Sequence, residues 1–152
     1  MPEVDALEFL NDYREDNRIE AKRAQGGLPH SLWETYSAFA NTLGGVILLG
    51  VAEDADKSLY SVPMIEPEKL VAEFWKHLRD PAQVSINLLR PEDVQIVRSG
   101  ENRVVVIFVP RAPQHQRPVY VGGDPYTGTY YRCGEGDLRY PRAEVEAMLK
   151  KA

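Results

Sequence analysis

Apolar residues recur at intervals of three and four along residues 31–43, at Leu32, Tyr36, Phe39 and Leu43. This is the spacing of one buried helix face. Ser31 at the start of that run, with Glu34 three residues later, predicts a capping box. Ala38 and Ala40 allow close approach of a neighbour, and Gly44-Gly45 supply the helix stop. The chain then enters an unbroken apolar run at 46–51, VILLGV, which predicts a strand buried on both faces. A helix feeding a buried central strand predicts a mixed α/β core.

The remaining pattern extends this picture. Residues 3–13 place Leu7, Phe9, Leu10 and Tyr13 among acids, predicting a short amphipathic helix. Residues 18–22 alternate, with Arg18, Glu20 and Lys22 on one side and Ile19 and Ala21 on the other, as in a strand with one wet face. Further strands are predicted at 58–62, 84–89, 119–121 and 129–133. The runs at 94–98 and 104–109 predict a hairpin with a four- or five-residue turn. Pro67 opens a helix with Leu70, Val71, Phe74, Trp75 and Leu78 inward, and Pro141 opens a last one with Val145, Met148 and Leu149 inward. The expected fold class is α/β (α+β): a single domain over 1–152, with a central mixed sheet of about six strands and helices packed on it.

Composition narrows the chemistry. At 152 residues, 43% hydrophobic and 27% charged, the chain is an ordinary globular domain. A lone cysteine, Cys133, excludes an internal disulfide and a cysteine zinc site, and it is expected in the core. The Gly-Gly pair follows a helix instead of preceding one, so it is no phosphate cradle, and no nucleotide cofactor is expected. Without a signal peptide or a membrane-length apolar run, a cytoplasmic protein with no membrane partner is expected. The net charge of −5 argues against strong non-specific nucleic-acid binding, but the charge is uneven. Residues 111–142 carry five arginines against three acids, a balance of +2 that leaves −7 elsewhere.

Three segments resemble the Schlafen-type AlbA domain family: EDNRIEAK at 15–22, SAFANTLGG at 37–45 running into LGV at 49–51, and YYRCG at 130–134. The resemblance implies a mixed α/β domain with a nucleic-acid-binding role. Some animal members of that family are metal-dependent ribonucleases that use two glutamates and an aspartate. By position the glutamates match Glu15 and Glu20, and the aspartate falls at Glu53 or Asp54, because Ala52 occupies the usual acidic place. The sequence also departs from the family at Ala21, where an aromatic is preferred, and at Gly134-Glu135-Gly136, where glycine and serines are common.

The residues themselves offer two candidate sites. Glu15, Glu20, Glu53 and Asp54 could hold magnesium or manganese, with Lys22 countering transition-state charge. In a strictly extended strand Glu15 and Glu20 would face opposite ways, so they converge only if the chain bends at Asp16-Asn17. The structural alternative is a solvated edge, with Glu20 paired to Arg18 or Lys22. The second candidate is the arginine-tyrosine region, where Arg111, Arg117, Tyr130, Arg132, Arg139 and Arg142 would contact phosphates and bases. Asn41 is expected to be structural, bonding the backbone near the glycine turn. The leading expectation is a nucleic-acid-binding domain, RNA and DNA both open, in a regulatory setting. The rivals are a metal-dependent endoribonuclease and a protein-interaction module, with monomer and homodimer undecided.

Overall fold

The structure, a computed structural model, describes residues 15, 16 and 18–152. The amphipathic helix expected at 3–13 lies outside the described residues. In chain order the elements are β1 (Ile19–Lys22), α1 (Ser31–Asn41), β2 (Gly45–Leu49), β3 (Val51–Glu53), β4 (Leu59–Ser61), α2 (Pro67–Leu78), β5 (Val94–Ser99), β6 (Asn102–Val109), α3 (Pro125–Gly128), β7 (Tyr130–Cys133), β8 (Gly136–Arg139) and α4 (Arg142–Lys151). Short 3-10 turns occupy Pro91–Asp93 and Gln114–Gln116.

The mixed α/β class holds, but among the described residues the central sheet has four strands instead of about six, in the order β1-β2-β6-β5. Only β1 and β2 run parallel; the other pairs are antiparallel. The apolar run at 46–51 does not continue as one strand, because Gly50 turns with φ +86°. Beyond it the chain leaves the sheet and forms a separate ribbon of β3 with β4. β7 and β8 form a second ribbon. The expected strands at 84–89 and 119–121 are irregular segments held by isolated bridges, Val84 to Val121 and Tyr120 to Thr129. The hairpin of β5 and β6 turns over Gly100-Glu101 alone, with Ser99 paired to Asn102.

Both faces of β2 are buried, as its unbroken apolar run requires. Ile47 and Leu49 join Val105 and Ile107 under Leu32, Tyr36 and Phe39 of α1 and Leu70, Phe74 and Leu78 of α2. Trp33 stacks on Phe74 with ring centres 5.3 Å apart. On the opposite face Leu48 and Val106 pack with Val51 and Leu59 of the β3–β4 ribbon. Each such side chain, fully buried, contributes about 1.5–3 kcal/mol.

The ends of α1 differ from expectation at one side only. No capping box forms: the residue before the helix, His30, is already helical, and Ser31 accepts a hydrogen bond from Lys22 Nζ at 2.9 Å. At the other end Gly44, with φ +74°, donates to Phe39 O at 2.7 Å. A Cβ there would lie 2.8 Å from Val109 O, so the position requires glycine for space as well as for conformation. Leu43, expected inward, is exposed, as is Leu149 of α4. Cys133 is exposed too, not in the core.

Asn41 ties α1 to the segments beside it. Its Nδ2 donates to Val119 O at 2.8 Å and Tyr130 O at 3.0 Å, and its Oδ1 accepts from Val119 N at 2.8 Å. Ser37 adds a bond from its hydroxyl to Val119 O at 2.7 Å and accepts from Tyr130 N at 3.0 Å. These two polar side chains of a buried helix satisfy backbone groups that no sheet supplies. Among the described residues no helix is long and apolar enough to cross a membrane.

Candidate functional site

Glu15 and Glu20 are brought together by a reversal of the chain ahead of β1. Asp16 Oδ1 accepts the backbone N–H of Arg18 at 2.8 Å, and Asp16 N donates to Ile19 O at 3.1 Å. An aspartate bonding the backbone two residues ahead is a local turn device. It folds Glu15 back along β1, where its Oε2 accepts the N–H of Ala21 at 3.0 Å. Alternation within β1 keeps Glu20 and Lys22 on one side, with Lys22 Nζ 3.7 Å from Glu20 Oε2.

Two other elements complete this corner. The turn at Gly50 redirects the chain so that Glu53 ends β3 beside Glu15, and the tight turn between β7 and β8 supplies Glu135. One carboxylate oxygen from each of Glu15, Glu53 and Glu135 lies within 4.8 Å of the others. Asp54 takes no part: it is exposed, and its Oδ1 accepts the N–H of Ala55 at 2.8 Å. Of the two acids that follow Ala52, Glu53 is the one that joins the carboxylate group. Glu53 Oε2 is shut off from solvent and accepts no hydrogen bond from the described donors.

Crowding has an electrostatic consequence at Glu15. Burial first, and then the hydrogen bond and negative charge of Glu20, raise its pKa from 4.5 to about 7, while the Ala21 N–H acts the other way. A proton shared with Glu20 is thus the neutral-pH solution to placing carboxyl groups side by side. Lys57, at 3.5 Å from Glu53 and 3.9 Å from Glu135, offers a cation only from the exposed side.

The interior counter-charge is Arg132, whose side chain is 0% exposed. Nη1 donates to Glu20 at 2.9 Å and Asp137 at 2.8 Å, Nε and Nη2 donate to Asp16 O at 3.0 and 2.8 Å, and Nη2 also donates to Ile19 O at 3.0 Å. Its carbon centre lies 4.9 Å from the Phe39 ring. Burial disfavours the guanidinium charge, but Asp137 and Glu20 outweigh it and hold the group protonated. Thr35 fixes the far side of Asp137 through a 2.5 Å hydrogen bond. Arg132 therefore does not sit on a phosphate-contacting surface; it clamps the reversal, β1 and β8 together. Tyr130 is likewise buried and is no stacking platform.

The other basic candidates are spread over the surface. Arg111, Arg139 and Arg142 are exposed, and Arg117 is half-buried. Arg142 lies 3.9 Å above the Tyr126 ring and 3.4 Å from Glu146. Tyr131 and Tyr140 pair with ring centres 4.9 Å apart.

Sequence reasoning missed Glu135, Asp137 and Lys57. A signal existed for two of them: Gly134-Glu135 is a tight hairpin turn, which sets Arg132 directly opposite Asp137 across β7 and β8. Opposite charges so placed are a recognised cross-strand pairing.

Fold and corner together define a mixed α/β domain with a carboxylate-lined edge braced by an internal arginine. The family model described as Schlafen, AlbA_2 matches residues 15–141, and the chain belongs to that family. Among solved structures, it is similar to the N-terminal domain of a "Putative ATP-dependent DNA Helicase RecG-related Protein" from Nitrosomonas europaea, determined by solution NMR. That match has 32% identity and a TM-score of 0.63, covering 86% of this chain and 88% of the other. The DIP2311 protein of Corynebacterium diphtheriae shares the fold at 18% identity and a TM-score of 0.55, over 88% of this chain and 23% of that one. No curated protein matches the sequence.

Proposed function

We propose that this chain is a nucleic-acid-binding domain whose acidic corner takes a divalent cation. The observation that carries the cation is the grouping of Glu15, Glu53 and Glu135 within 4.8 Å. Family membership and the helicase-related neighbour support the nucleic-acid part. The donors fit magnesium or manganese: all are hard carboxylate oxygens, and Glu53 Oε2 is an enclosed acceptor without a donor. When bound, such an ion supplies a Lewis acid for phosphate oxygens. The chain's own residues do the positioning. Arg132 holds Glu20, the Ala21 N–H fixes Glu15, and the Gly50 turn sets Glu53.

A second reading, cleavage of RNA at this corner, is favoured by Lys22. Its ammonium is about nine-tenths enclosed and 3.7 Å from Glu20, so it presents a fixed positive charge beside the carboxylates. That charge would oppose the negative charge gathering on a phosphate under attack.

Calorimetric titration with manganese tests the cation. Wild type should bind, Glu53→Gln should weaken binding tenfold or more, and Asp54→Asn should leave it unchanged; equal binding by all three refutes the site. Incubation with transfer RNA and single-stranded DNA, with and without manganese, then separates binding from cleavage. Intact RNA with manganese bound removes the second reading and keeps the first.

A further inference from the structure

The 3-10 turn Gln114–Gln116 and helix α4 enclose a cavity of about 250 Å³ lined by Gln114, Arg117, Met148 and Lys151. None of these residues belongs to the acidic corner. Arg117 Nε is closed off from solvent and has no hydrogen-bond partner. Leaving a buried donor unmade forfeits its hydration with nothing in return, and the loss is greater for a charged donor. Native proteins seldom leave such a group without a function or a missing partner. Lys151 brings a second positive charge to the same cavity, and neither cation has a described carboxylate within ion-pairing distance.

The surroundings extend the positive field. Tyr140 lies where Arg117 and Arg111 both act on its hydroxyl, with Glu144 of α4 acting against them. Burial is the largest influence there, followed by Glu144, so the phenol stays protonated and can donate a hydrogen bond. Its ring is paired with that of Tyr131, forming an aromatic surface beside the cations.

We propose that this cavity is a phosphate subsite for a nucleic-acid backbone. Arg117 provides the unspent donor, Lys151 the second charge and Gln114 a neutral amide donor. An arginine fork matches the oxygens of a phosphate, and an adjacent tyrosine ring matches the base that a nucleic acid carries with it. A simple carboxylate ligand would make no use of that ring. This rests on the nucleic-acid reading above and names one contact surface for it, built from none of the carboxylates of the acidic corner.

The test uses the whole chain, with a fluorescent oligo(dT) followed by anisotropy across a salt series, alongside Arg117→Gln and Lys151→Gln. Each lost phosphate contact should lower the salt slope by about 0.7, the increment for single strands. Lys151 lies at the exposed end of α4, so that variant reads the site even if Arg117→Gln folds poorly. Wild-type slope and affinity in both folded variants would overturn the subsite while leaving nucleic-acid binding in place. If wild type binds no oligonucleotide, the broader reading fails, and inorganic phosphate decides the cavity alone. A shift of the Arg117 Nε–H resonance that Lys151→Gln weakens then keeps a phosphate site; an unmoved resonance removes it.

Discussion

Replacing Glu15 by glutamine should make the metal-free protein more stable, and the gain should depend on pH. Glu15 titrates at about 7 in the fold against 4.5 for an unperturbed glutamate. Between those values the folded chain holds a proton that the unfolded chain has already lost. Stability therefore falls as pH rises from 4.5 to about 7, and is flat in this contribution above that. At about 1.36 kcal/mol per pKa unit the full gap corresponds to roughly 3 kcal/mol. Glu15 is partly open to water, which screens its neighbours and reduces the realised effect to about 1–2 kcal/mol. Glutamine carries no titratable proton. Wild type and Glu15→Gln should thus unfold alike in urea at pH 4.5, while the variant gains about 1–2 kcal/mol at pH 8. Saturating manganese should stabilise wild type at pH 8 and leave the variant little changed. A difference between variant and wild type that is the same at both pH values would refute the shared-proton account of the corner.

Two further changes probe the frame around it. Arg132→Met should cost about 3–5 kcal/mol, because it strands Glu20 and Asp137 in the interior without their cation. Urea unfolding measures it, and a loss below about 1 kcal/mol would show that water replaces the guanidinium. Asn41→Ala removes the acceptor of the Val119 N–H and a donor to each of the Val119 and Tyr130 carbonyls, of which Val119 O keeps the Ser37 hydroxyl, so it should lower stability by about 1–3 kcal/mol with no effect on manganese affinity. Unchanged stability with lost metal binding would move Asn41 into the site.

The local pattern carried much of this fold. The α1 period, the double burial of β2 and the amphipathic α2 follow from side-chain spacing alone, because each buries a face whose periodicity is written in adjacent residues. What spacing could not convey was where a strand stops belonging to its sheet. Gly50 reads as one more member of an apolar run, yet its positive φ ends the central strand and carries Glu53 away. Strand count failed for the same reason: 84–89 and 119–121 have strand composition, but their backbone groups are satisfied by Asn41, Ser37, Ser85 and single bridges instead of by ladders. Arg132 shows the limit most plainly. An arginine among tyrosines reads as a surface contact, and only the approach of β1, β7 and β8 reveals that four acceptor groups enclose it.

The charges of the corner divide into two sets with different balances. The inner set contains Glu20 and Asp137 with Arg132 and Lys22, and it is neutral. Its members hold one another, so it needs no added ion to balance its charge. In the outer set of Glu15, Glu53 and Glu135, the one cation paired among the described residues is Lys57, which leaves −2 when all are ionised. Burial and the neighbouring Glu20 keep a proton on Glu15, which also removes half of that charge, while Lys57, 62% exposed, is too well hydrated to remove the rest. A divalent cation would bring the outer set to zero and release the proton. Metal affinity and acidity are therefore linked: manganese binding should strengthen as pH rises through about 7 and expel up to one proton per ion below it. An affinity that stays level between pH 6 and pH 8 would mean that the ion, if it binds, does so without Glu15.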